Sequence, residues 1–368
     1  MINTLVTIGP SSLNDADIQY FAKKTTLFRL NGSHNTLEWH AEAVLRIRKF
    51  APEAFILMDI PGIKPRTNNA DRIEIEQGQK VSFGLEIEKS NYFHINLTKK
   101  LPEAGNNLPT FSLNDGQFLF DTIESSDGYI VGRSRDSFSL LPKKGINLPG
   151  SIYDEDQQFQ IYKDFIKKIT DLEINALGLS FVQTGGLVEK LRNLVPNLVL
   201  VSKIENSEGL RNCAEISQVS DAIMIDRGDL VAEIGFKSLF NSIETISIAA
   251  KSCGRPLIMA TENLESMAHR ELPSKSEVMS LAHSASLGVD CIMLSEETAL
   301  SSNAKAVVGW LTEFLDQSFD LKIKHLMNPP VGKYFQIWNA LQTFEDLPIL
   351  IMSKSGYAVF DFFARLPD

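Results

Sequence analysis

The amino-acid sequence predicts an α/β fold: a closed barrel of eight parallel strands wrapped by helices, a TIM (β/α)8 barrel, with a small β domain inserted after the third strand and a C-terminal α/β fragment too short to hold its own core. Three observations predict it. Eight short, nearly continuous apolar runs recur along the chain, TLVTIG, TLFRLN, FILMDI, ALGLSF, VLVSKI, AIMIDR, PLIMAT and CIMLSE, with helical periods between them; strands apolar on both faces belong to a parallel sheet covered by helices. Most of these runs end in polar or charged residues, which a barrel would gather at one face, the face where such folds bind ligands. Between 68 and 143 the helical period gives way to short alternating runs such as KVSFGLEI, FHINL and QFLFDTIE, separated by QG, NN, NDG and SDG turns, the pattern of a separate β domain. The expected boundaries are 1–67 and 144–320 for the barrel, 68–143 for the insert and 321–368 for the tail.

In chain order, the first strand breaks at Gly9-Pro10, and Ser11 or Ser12 is placed to cap a helix over about 14–24. The second strand carries Arg29 and opens a loop with Asn31, Ser33 and His34 before a helix over 36–50. An arginine followed by small polar groups at a strand end suits a phosphate and a cation. The third strand ends near Asp59 and runs into PGIKPRT, where Pro and Gly stop regular structure and leave Lys64 and Arg66 close by. The insert closes at LLPKKGINLPG, with Lys143 and Lys144 between prolines in the manner of a hinge. Helices are then expected over about 154–168, 237–251, 274–287 and 304–319, leading from strand to strand.

The fifth and sixth strands hold the most chemistry. VLVSKI, a helix over about 207–219 and AIMIDR form one strand–helix–strand unit. Lys203 and Glu205, two apart, point the same way in an extended chain, and Asp229 follows the next strand. Parallel neighbours would bring two carboxylates and one ammonium to the same edge. Two oxygen ligands that leave most of a coordination shell open suit Mg²⁺ or Mn²⁺ shared with a phosphorylated substrate, and a lysine beside such an ion suits phosphoryl transfer.

Composition sets the bounds. The chain has 368 residues, 43% hydrophobic and 22% charged, with a net charge of −10. That acidity argues against a nucleic-acid partner. Cys213, Cys253 and Cys291 are odd in number and widely spaced, the usage of reduced thiols in a cytoplasmic protein. The first eight residues lack the form of a signal peptide, and no apolar stretch approaches about 18 residues, so no membrane partner is expected.

The runs TIGPSS, RLNGSH, SKIEN, RGDL, ATENLES and LSEETA, in this order and at the expected strand ends, closely resemble pyruvate kinase over about 4–306. The resemblance implies that the insert is a mobile β-barrel lid domain and that the substrates are phosphoenolpyruvate/pyruvate and ADP/ATP. It implies that Glu205 and Asp229 hold Mg²⁺ (or Mn²⁺), that Lys203 and Arg29 act on the phosphoryl group, and that Thr261 helps protonate the enolate. It further implies that the Gly228 and Asp229 amides receive the substrate carboxylate, and that Pro10, His34, Trp39, Arg66 and Lys143 contact the nucleotide. Potassium-dependent members carry threonine and glutamate where this chain has Ile60 and Lys64. Lys64 is therefore expected to stand in for potassium beside Asn31, Ser33 and Asp59.

Several positions depart from the family pattern. Asp226 stands where a small residue precedes the arginine of RGDL, and its charge would disfavour an anionic ligand by about 1 kcal/mol or more. Glu262, Asn263, Glu296 and Val231 replace glutamine, methionine, glycine and glycine. The tail keeps only SKSG, 353–356, of a phosphate-binding turn, so sugar-phosphate allostery is not expected, and a monomer or homodimer is expected rather than a tetramer. Two other functions remain open at this stage: a metal-dependent lyase or decarboxylase acting on a keto acid, and a non-catalytic metabolite-binding relative.

Overall fold

The computed structural model describes residues 2–85, 91–102, 108–126 and 128–316; the tail expectations at 321–368 lie outside them. Eight parallel strands, β1 (Asn3–Ile8), β2 (Leu27–Asn31), β3 (Phe55–Ile60), β4 (Ala176–Leu179), β5 (Val199–Ile204), β6 (Ala222–Asp226), β7 (Leu257–Ala260) and β8 (Cys291–Leu294), close into a barrel. The ring is sealed by the first and last strands, with Asn3 opposite Cys291 and Val6 opposite Leu294. Helices α1 (Asp15–Ala22), α2 (Leu37–Phe50), α3 (Glu155–Lys168), α4 (Gly185–Leu194), α5 (Ser207–Arg211) and α6 (Cys213–Val219) follow in order. They continue as α7 (Arg227–Ile234), α8 (Phe236–Ser252), α9 (Lys275–Ser286), α10 (Glu296–Ala299) and α11 (Ala304–Leu315). Among the described residues no helix is long and apolar enough to cross a membrane. All three cysteines are free, and Cys213 and Cys291 are buried.

Strand alternation divides the core in two. Residues pointing outward, including Val6, Phe28, Ile56, Leu177, Ile223 and Leu294, pack against the helices. Those pointing inward, including Leu5, Leu57, Val201, Met224, Ile258 and Met293, fill the barrel. In several strands, period-two alternation carries the inward column from apolar residues at the bottom to polar ones at the top. Leu57 is thus followed by Asp59, Val201 by Lys203 and Met224 by Asp226. The charged collar is a consequence of strand parity.

Local chemistry departs from expectation at several element ends. Asn14, not Ser11 or Ser12, caps α1, its side chain accepting from the Asp17 amide; Ser12 is spent on the Gly9 amide, 3.1 Å away. The helix expected over 207–219 is two helices meeting at Asn212. Helix α4 was not foreseen, because its opening Gly185-Gly186 masks the helical signal of Leu187, Val188 and Leu191, all buried.

The insert leaves the barrel after β3 and returns before α3. Its described residues form a six-stranded mixed sheet and a two-stranded ribbon joining Ile73–Ile75 to Phe138–Leu140. Phe83, Phe111 and Phe120 fill its core, the last two stacked with ring centroids 5.1 Å apart. The strand Ile146–Asn147 pairs with Thr110–Leu113 inside that sheet, so the insert reaches past 143.

Candidate active site

The polar collar is built around Lys203. Its buried ammonium lies 3.1 Å from Glu205, 3.1 Å from Asp226 and 3.3 Å from Asp59. Burial alone would lower the Lys203 pKa, but Asp59, Glu205 and Asp226 overcome it and hold the group well above its ordinary value. Asp59 also takes a forked contact from Arg29, whose Nε donates to it at 3.1 Å and whose Nη1 donates to Thr7 at 3.0 Å. Burial would raise the Asp59 pKa, and the Lys203 and Arg29 charges hold it below the usual range. Room for this carboxylate comes from the neighbouring strand: a Cβ on Gly178 would lie 2.9 Å from Asp59 Oδ1.

Glu205 closes the collar from the end of β5. It is fully buried, and its Oε1 accepts from the Phe181 amide at 2.7 Å. Phe181 adopts φ 63°, an uncommon conformation for a bulky residue, and one associated with functional sites. Glu205 Oε2 is the oxygen 3.1 Å from the Lys203 ammonium, and it has no directed hydrogen bond among the described residues. Burial pushes the Glu205 pKa well up, partly opposed by Lys203. Ligand atoms of Glu205, Asp226 and Asp229 lie within 4.8 Å of one another, and hard carboxylate oxygens converging in this way fit Mg²⁺ or Mn²⁺. The sequence had placed Glu205 and Asp229 in this role and Asp226 outside it.

Thr261 and Glu262 follow β7 with φ 58° and 52°. Thr261 Oγ1 accepts from the Gly228 amide at 3.1 Å and lies within donor reach of Asp226 Oδ1, at 3.2 Å, and of the Ala260 carbonyl, at 2.8 Å. One of the two amides expected to receive a substrate carboxylate is therefore engaged by Thr261. Buried Arg227 holds this turn from behind, donating to the carbonyls of Ala260 and Thr261, to Asn263 Oδ1 at 2.8 Å and to Ser280 Oγ at 2.6 Å.

Lys64, expected to stand in for potassium beside Asn31, Ser33 and Asp59, pairs with two other carboxylates. Its ammonium donates to Asp229 and, at 2.8 Å, to Asp115. Asn31 and Asp59 remain paired in register, and the Asn31 side chain accepts from the Ser33 amide at 3.1 Å, but the cations beside Asp59 are Arg29 and Lys203. The physical reason is competition between carboxylates. Asp59 already has Arg29 and Lys203, whereas among the described residues the ion pairs of Asp229 and Asp115 are with Lys64. Asp115 sits in the insert's NDG turn, with Asn114 and Asp115 at φ 53° and 54°, so Lys64 ties the insert to the barrel. Asp115→Ala is expected to loosen that tie, with amide exchange over 113–117 several-fold faster than in the unmodified protein; unchanged exchange would contradict the contact.

The remaining nucleotide candidates are scattered around this rim. Pro10, His34 and Lys143 are exposed, and Arg66 is half-buried and donates to the Lys143 carbonyl at 3.2 Å. Arg66, Arg29 and Lys143 act electrostatically on the His34 ring, and Glu296 acts with the opposite sign. Trp39 packs against the helix-facing core and meets His40 edge-on at 5.2 Å, so its ring is used in packing.

Sequence reasoning missed Glu233 altogether. It is buried on α7, accepts from Asn147 Nδ2 of the insert at 3.2 Å, and has a second oxygen without a partner. Burial pushes its pKa up to about 8 from 4.5. Between these values the folded protein binds a proton that the unfolded chain has lost, so stability falls as pH rises, by up to about 1.4 kcal/mol per unit. Glu233→Gln is expected to remove that component of the slope when urea denaturation is compared at pH 6 and pH 8. An identical slope in the variant would rule Glu233 out as its source.

Residues 2–307 match the family described as pyruvate kinase, barrel domain. The chain belongs to the pyruvate kinase family. It is 30% identical over 324 residues to the cytosolic pyruvate kinase isozyme of Nicotiana tabacum, covering 83% of this chain and 64% of the relative. It is also 30% identical over 308 residues to pyruvate kinase of Thermococcus litoralis, covering 80% and 65%, and 30% identical over 302 residues to that of Encephalitozoon cuniculi, covering 80% and 70%. The chain thus spans less than two thirds of the length of the first two of these pyruvate kinases.

Proposed function

We propose that the chain transfers the phosphoryl group of phosphoenolpyruvate to ADP, giving pyruvate and ATP. The observation that carries the reading is the buried Lys203 ammonium between Asp59, Glu205 and Asp226, beside Arg29. Phosphoryl transfer asks for fixed positive charge at equatorial oxygens whose charge is spread in a loose transition state. Lys203 and Arg29 supply it without reorganisation, because both are held by buried carboxylates. A divalent ion held by Glu205 and Asp229 would add Lewis-acid charge at the phosphoryl and enolate oxygens. Thr261 Oγ1 holds a proton at the same rim, and Arg227 fixes the turn that presents it. His34, with Arg66 and Lys143 within electrostatic reach of it, would meet the nucleotide.

Potassium is not required in this reading. The support is the sequence departure alone, Ile60 and Lys64 standing where potassium-dependent members carry threonine and glutamate. The test is pyruvate formation from phosphoenolpyruvate, ADP and Mg²⁺, run with and without potassium. Turnover indifferent to potassium is the expected result. Turnover only with potassium would remove that part, and no pyruvate under either condition would remove the reading.

A further inference from the structure

We propose that Asp226 is a third protein ligand of the divalent ion, so that the ion is in place before any phosphorylated substrate arrives. The inference rests on the reading above insofar as Glu205 and Asp229 are the other two ligands. Its starting point is a side chain that declines its obvious local use. Asp226 occupies the residue before α7, where aspartate normally accepts a hydrogen bond from the first turn of the helix. It makes no such bond. Its carboxylate turns inward with the collar, Oδ2 lying 3.1 Å from Lys203 and Oδ1 3.2 Å from the Thr261 hydroxyl.

Two further observations point to a cation there. The ligand atoms of Asp226, Glu205 and Asp229 converge within 4.8 Å, and the fully buried Glu205 Oε2 has the Lys203 ammonium at 3.1 Å but no directed hydrogen bond among the described residues. Carboxylates held this close repel one another. Lys203 contacts Glu205 and Asp226 but must also serve Asp59, while Asp229 draws on Lys64. A doubly charged ion seated among the three would supply the positive charge that one lysine, shared with Asp59, leaves short.

The number of ligands decides the order of binding. Mg²⁺ and Mn²⁺ favour about six oxygens. With two protein carboxylates about four positions are left to water and substrate, and affinity leans on the substrate's own oxygens. A third carboxylate adds charge and a fixed oxygen to the protein's share, which raises affinity in the absence of substrate.

The probe is Mn²⁺ alone, added to the full chain without nucleotide or phosphoenolpyruvate. Electron paramagnetic resonance counts free Mn²⁺ and gives Kd, and water-proton relaxation gives the number of waters on the bound ion. The unmodified protein is expected to hold Mn²⁺ with about three waters, and Asp226→Ala to bind about 10- to 100-fold more weakly with one water more. Asp226→Asn, which keeps the shape and one neutral oxygen, is expected to fall between them. About four waters on the unmodified protein would overturn the proposal, and so would weaker binding by Asp226→Ala at unchanged hydration, which would make Asp226 only a partner of Lys203. Because no substrate is present, the result is independent of turnover. A chain that makes no pyruvate yet gains a water in Asp226→Ala would lose the functional reading and keep this one.

Discussion

Lys203→Met is expected to abolish pyruvate formation and, separately, to destabilise the metal-free protein by about 3–5 kcal/mol. The activity loss follows from removing a preorganised charge at the transferring group, about 10²–10³-fold or more in kcat. The stability loss has another origin. Lys203 faces Asp59, Glu205 and Asp226 at 3.1–3.3 Å, and deleting one partner of a buried ion pair leaves the other charges uncompensated. The two effects separate on adding Mg²⁺. The ion restores part of the missing positive charge, so the melting temperature of the variant should recover partly while turnover does not. Calorimetry with and without Mg²⁺, beside the pyruvate assay, reads both. A variant as stable as the unmodified protein in the absence of metal would show that the collar carboxylates do not depend on Lys203.

Gly9→Ala is expected to cost at least about 3 kcal/mol, the upper end of overpacking effects. A Cβ at this position would lie 2.5 Å from Ala299 Cβ and 2.6 Å from Ala299 Cα, so the obstacle is backbone and the foot of a side chain. Helix α10 cannot step aside, because Thr298 donates to the Thr7 carbonyl at 2.8 Å and the Ser11 amide to the Ala299 carbonyl at 3.1 Å. Urea denaturation should show a lower midpoint at unchanged slope. An unchanged midpoint would mean that α10 yields more readily than these bonds indicate.

Gly9 also shows what kind of information a sequence carries. Gly9-Pro10 could be read as the end of a strand from local backbone rules alone, but the helix that demands glycine lies 290 residues away. The same division runs through the site. Lys203 and Glu205 were legible as a pair because two residues along a strand share a face, and the barrel was legible because burial on both faces makes strands apolar throughout. Asp226 was visible as a departure, not as a neighbour of Glu205, since its cap-breaking orientation depends on Thr261 and Lys203. The ion-pair partners of Lys64 were not legible, because Asp115 and Asp229 lie 51 and 165 residues further on. The left-handed backbone at Phe181, Thr261 and Glu262 left no compositional trace, as none of these residue types announces such a conformation.

The seam between the first and last strands has a consequence for biosynthesis. Asn3 to Val6 must wait for Cys291 to Leu294 before the ring can close. At elongation rates of about 5–20 residues per second, roughly 15–60 s of translation pass with the amino-terminal strand unpaired on one side. A nascent chain released early would expose an apolar edge, so this stretch of synthesis is where a ribosome-associated chaperone has most to protect.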